Sequence, residues 1–116
     1  MNIEKVYAEC GGDYADVMDR LMTEARVEKF VTKFLDNKDF DMLKEAIEAK
    51  DVEGIFRNAH NLKGICLNLS FTELQKSSST LCEMFRNGMP SEDYMPAWEQ
   101  VIADRDRVIN AIKANM

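Results

Sequence analysis

Apolar residues recur every three to four positions along almost the whole chain. That is the spacing of helices that bury one face. Tyr14, Val17, Met18 and Leu21 form such a face behind the turn Gly11-Gly12 and an N-cap at Asp13. Thr23 is placed to cap a second helix carrying Val27, Phe30, Val31, Phe34 and Leu35. Asn37-Lys38 reads as a break, and Asp39 as the cap of a shorter helix with Phe40, Leu43 and Ile47. Asp51 opens a long helix from Val52 to Leu69. Ser70-Phe71-Thr72-Glu73 has the pattern of a capping box, in which a Ser and a Glu side chain each bond the other's backbone N–H. The helix it predicts carries Leu74, Ser78, Leu81 and Phe85 and stops near Asn87-Gly88. After the loop Met89-Pro90-Ser91 comes a last helix, with Pro96 in its first turn and Trp98, Val101, Ile102, Arg105, Ile109 and Ile112 on one side.

No segment alternates with the period of a strand, and the predicted connections are short. The expectation is an all-α fold, an antiparallel up-down four-helix bundle with short additional N-terminal helices. With 116 residues and neither an internal repeat nor a linker, one domain spanning 1–116 is expected.

Composition narrows the function classes. Fifteen basic against 21 acidic side chains leave a formal net charge of −6. Phosphate backbones and anionic membrane surfaces repel such a domain, so neither nucleic acid nor membrane is an expected partner. No apolar run approaches the roughly 18–20 residues of a membrane span. Met1 to Gly12 lacks the basic end and apolar stretch of a signal peptide, so a cytoplasmic protein is expected. Cys10, Cys66 and Cys82 are odd in number and widely spaced, which suits reduced thiols. A single histidine and no CxxC pair make a zinc site improbable, and there is no Gly-rich nucleotide loop.

That histidine lies on the predicted helix Val52–Leu69. At roughly 100° per residue, Ile55, Ala59, Leu62, Cys66 and Leu69 fall on one core stripe, and His60 groups with Phe56, Lys63, Gly64 and Leu67 at its edge, facing water. Residues three and four apart are surface neighbours on a helix. Gly64 at i+4 therefore sets no side chain beside the imidazole, although glycine in a helix costs about 1 kcal/mol relative to alanine. Close approach by another molecule would explain it; so would a packing notch. Lys63 at i+3 places an ammonium where it would attract an arriving phosphoryl group. Spacing alone names no reaction.

Ala59-His60-Asn61-Leu62-Lys63-Gly64, read as AHxLKG, resembles the signature of histidine-containing phosphotransfer (HPt) domains. The likeness extends to Asn68-Leu69, Leu74 and Leu81, and upstream to Tyr7, Cys10-Gly11-Gly12-Asp13 and Phe30–Leu35 of stand-alone bacterial members. The resemblance implies an antiparallel four-helix bundle with an exposed histidine on its second helix. That histidine accepts a phosphoryl group from a receiver-domain aspartate and passes it to another receiver. His60 matches the acceptor, Lys63 the residue that steadies the phosphoryl group, and Gly64 the residue that keeps the acceptor accessible. The resemblance thus implies a phosphorelay carrier in two-component signalling, not an enzyme. It would be a monomer that holds no cofactor of its own, with Mg²⁺ on the partner receiver. The expected partners are response-regulator receiver domains and hybrid histidine kinases.

Two positions depart from the family's pattern. Many members have glycine where Ser70 stands, and here the capping box would make the turn instead. Some members orient the imidazole with a Gln or Glu on the next helix, where this chain has Cys82, a poor acceptor; Ser78, Ser79 or Glu83 are the available substitutes. The alternative class is a non-catalytic helical adaptor, or a degenerate HPt domain that binds receivers without phosphotransfer. The eight methionines would suit an adaptable surface, but Met18, Met42 and Met84 fall at apolar helical positions and read as core filling.

Overall fold

A computed structural model describes residues 1–116. Seven helices follow one another: α1 (Ile3–Cys10), α2 (Tyr14–Leu21), α3 (Glu24–Phe34), α4 (Asp39–Ala49), α5 (Val52–Leu69), α6 (Thr72–Met84) and α7 (Met95–Ala114). The all-α bundle with short N-terminal helices is the observed architecture. Helices α4 to α7 make the bundle, with α5 packed between α4 and α6 and α7 against α6. Phe40 of α4 stacks on Trp98 of α7 at 5.5 Å, and the Arg105 guanidinium sits 4.5 Å from the Phe40 ring, closing the fourth side. None of the helices is long and apolar enough to cross a membrane.

Local chemistry accounts for most helix ends. The side chains of Asp13, Thr23 and Asp51 accept from the backbone N–H groups of Asp16, Arg26 and Gly54, as N-caps do. Pro96 lies in the first turn of α7, where its missing N–H is harmless. Asp39 is not a cap, however. It is the first residue of α4, and Asn37 Oδ1 accepts its N–H at 3.0 Å.

The capping box at Ser70 does not form. Phe71 stands at the N-cap of α6 and makes no side-chain cap bond, and the Glu73 N–H goes to the carbonyl of Gly11. Phe71 is fully buried, its ring 5.4 Å from Tyr7 and 5.2 Å from Phe34. Burying an aromatic ring outweighs the modest gain of a cap. Ser70 instead ends α5 in the left-handed region, at φ 55°. Its hydroxyl donates to Asp16 Oδ2 at 2.6 Å and accepts from Arg20 at 3.3 Å. Left-handed backbone costs a non-glycine residue roughly 1–2 kcal/mol, so these bonds supply what a glycine would not need.

Helix α1, which the sequence reading did not mark, buries Ile3, Val6, Tyr7 and Cys10 against the bundle. Together with α2 it satisfies the end of α5. Tyr7 Oη donates to the Leu69 carbonyl at 2.7 Å, and Arg20 donates to the carbonyls of Leu67 and Asn68 at 2.5 and 3.1 Å. A helix leaves its last carbonyls unpartnered, and a cation there also opposes the helix dipole. The Gly11-Gly12 turn lies close by: a Cβ on Gly12 would come within 3.0 Å of the Ser70 carbonyl.

Several apolar assignments shift. Phe30 and Met42 are exposed rather than core residues, and on α2 only Val17 is buried. Val108, absent from the predicted face of α7, is fully buried there, whereas Arg105, Ile102 and Ile109 lie at its margin.

Candidate functional site

Helix α5 turns its Ile55, Ala59, Leu62, Cys66 and Leu69 stripe into the core, all of them buried. The opposite edge carries His60, which is exposed, between half-buried Phe56, Lys63 and Gly64 and exposed Leu67. The five residues grouped by helical spacing therefore share one surface, with His60 at its centre. On the flank of α5 facing α2 and α3 runs a groove of about 500 Å³, lined by Leu21, Phe30, Phe34, Ile65 and Leu69 with Arg20 and Lys33 among its polar residues.

Gly64 has open space where a side chain would stand, with no atom within 4 Å of an added Cβ. It is no packing notch. Its neighbour on the same helix, Gly54, is one: a Cβ there would collide with the Asp51 carboxylate and approach Ala46 of α4 to 3.2 Å.

Lys63 lies on the α6 side. Its charge favours the ionised forms of Cys82 and Glu83. At Cys82 burial dominates and raises the thiol above its ordinary range. The Glu83 carboxyl is held below its ordinary value first by its hydrogen bond from Arg86.

Two of the candidates for orienting the imidazole, Cys82 and Glu83, are engaged elsewhere. The Cys82 thiol donates to the carbonyl of Phe56 at 3.8 Å. Glu83 receives two bonds from Arg86, at 2.9 and 2.5 Å. Ser78 Oγ is buried without a partner, as is Asn58 Oδ1 on α5. The ring nearest to His60 is that of Phe56, its centroid 6.3 Å away and its plane tilted by 30°. The Arg86 guanidinium lies 5.4 Å from the centroid of that same Phe56 ring. Arg86 escaped the sequence reading. Its only local signal was the Glu83–Arg86 spacing of three on a helix, which ordinary solvated ion pairs share.

The arrangement offers one exposed nitrogen nucleophile, an ammonium on the same face, clear space above the next turn, and an apolar border. Residues 30–115 match the family model of the Hpt domain; the match begins within α3, so α1 and α2 lie outside it. No curated protein and no solved structure matches the chain.

Proposed function

The chain belongs to the Hpt domain family, and on that premise we propose that His60 is its phosphoacceptor, taking a phosphoryl group from one receiver-domain aspartate and handing it to another. Histidine phosphotransfer in phosphorelays is the family's role, and its members are carriers rather than enzymes. The observation that carries the assignment to His60 is the open space at Gly64 beside an exposed imidazole. A receiver's phospho-aspartate lies in a cleft and must be brought to bonding distance, so the acceptor needs a clear approach.

The step is an in-line displacement. The Nε2 lone pair of the neutral imidazole attacks phosphorus. The Nε2–P bond forms as the bond to the aspartyl oxygen breaks, and that electron pair leaves on the aspartate carboxylate. The ring keeps its proton on Nδ1, and the reverse sequence delivers the group to the next receiver. Lys63 offsets part of the phosphoryl charge on this side. The receiver provides Mg²⁺ and most of the remaining charge stabilisation. Exposed Leu67 provides apolar docking ground. Residues 1–116 act as one unit in this reading, because a single cluster of 27 buried residues runs from Ile3 to Ile112.

The test is transfer from phosphorylated receiver domains. The wild-type protein should acquire acid-labile, base-stable phosphate, and His60→Gln should acquire none. Equal labelling of His60→Gln would remove the assignment. A protein that binds receivers but never takes label would be an adaptor instead.

A further inference from the structure

We propose that Phe56 is the positioning residue for His60, so that α6 orients the acceptor through an aromatic ring rather than by a direct hydrogen bond. The proposal rests on His60 being the acceptor and concerns what holds its ring.

Helical side chains lean toward the N-terminus, over the residue four positions earlier. His60 therefore leans over Phe56, and a side chain at position 64 would lean over His60. The first contact is present: the two rings lie 6.3 Å apart and 30° from parallel, within the range of aromatic packing. The second is missing, because Gly64 has no side chain. The imidazole is backed on one side and open on the other.

Phe56 is itself held by α6 and the turn that follows it. The Cys82 thiol donates to its carbonyl, and the Arg86 guanidinium rests 5.4 Å from its ring, within cation–π range. Arg86 is in turn fixed by two bonds to Glu83. Two of the residues considered for gripping the imidazole are thus spent on its neighbour: Cys82 directly, Glu83 through Arg86. This tilted packing leaves both ring nitrogens free at the rim. It restricts rotation about χ1 and χ2 without selecting a tautomer.

Freed of this contact, the imidazole spreads over the two χ1 wells open on a helix and two χ2 orientations, of which one faces the donor. Phe56→Ala should therefore lower the maximal single-turnover transfer rate about twofold to fourfold, at an unchanged half-saturating receiver concentration. Phe56→Tyr should restore the rate and Phe56→Leu should not, because leucine fills the volume without a flat face. Far-ultraviolet circular dichroism checks that each variant folds. Nuclear magnetic resonance gives the signature that simple docking would not: restricted His60 χ1 couplings and cross-relaxation between the His60 and Phe56 rings in wild type, with averaged couplings in Phe56→Ala. A raised half-saturating concentration with an unchanged maximal rate would make Phe56 a docking contact and overturn the proposal. So would freely averaged His60 couplings in the wild type. The resonance measurement decides the ring contact even where His60 takes no label, a result that would overturn the acceptor assignment alone.

Discussion

Gly54 and Gly64 occupy the same helix and look alike in the sequence, yet they do opposite work. Gly54 is buried where α5 meets α4, crowded by Asp51 and Ala46, and it lets the cap and the helix contact coexist. At Gly64 an added Cβ would meet only open space. The first glycine is explained by the fold. The second is unexplained by it, and a helix position that gives up about 1 kcal/mol without a structural return points to a partner outside the chain. Under the proposed function, the contrast separates stability from function within one element.

Exchanging the two effects is the strongest way to break this contrast. Gly64→Leu should reduce transfer from a phosphorylated receiver at least tenfold while leaving the urea midpoint equal or higher, since leucine is the better helix former. Gly54→Leu should do the reverse. Overpacking costs typically 1–3 kcal/mol and a lost cap about 1 more, while transfer per folded molecule stays the same. Full transfer by Gly64→Leu would show that the open space is not used by the partner.

A smaller effect sharpens the same theme at the other end of α5. Ser70 holds a conformation suited to glycine and compensates through its hydroxyl. Ser70→Ala keeps the strain and loses the bonds to Asp16 and Arg20, so denaturant unfolding should show a loss of about 1–2 kcal/mol. Ser70→Gly loses the same bonds but relieves the strain, and it should lie closer to wild type. Equal losses in the two variants would mean that the left-handed turn carries no strain.

The smallest effect concerns the core near the C-terminal end of α5. Burial pushes the Cys10 thiol up to about 11 from its ordinary 9.0, and the Gly12 N–H only partly opposes this. The native state therefore keeps a proton that the unfolded chain releases. The resulting stability is fully present below pH 9.0 and declines as the pH rises toward about 11. Urea midpoints should agree at pH 7 and 8 and fall by pH 10, with Cys10→Ala showing a shallower decline.

The surface around His60 was the most legible part of the sequence. His60, Lys63, Gly64, Phe56 and Leu67 lie on one helix, and their relative placement follows from a fixed turn per residue. The caps at Asp13, Thr23 and Asp51 were equally local and equally readable. Misreadings arose where distant segments compete for the same groups. Ser70 and Glu73 have the spacing of a capping box, but Asp16, Arg20 and the Gly11 carbonyl, far away in the chain, take their hydrogen bonds. Phe30 fits a helical stripe, but it lines an open groove beside α5 and stays exposed.

What the sequence determined by itself is the helices from α2 to α7, the face of α5 that carries the histidine, and the family to which its motif points. All three depend on interactions within a few turns, where covalent geometry sets the distances. Tertiary structure decided which of two identical glycines is crowded and which is free. It also decided that α1 and α2 close the end of α5, and that Cys82 and Arg86 reach Phe56 instead of His60. Those outcomes depend on which helix lies beside which, and residues far apart in the chain acquire distances only when the core is packed.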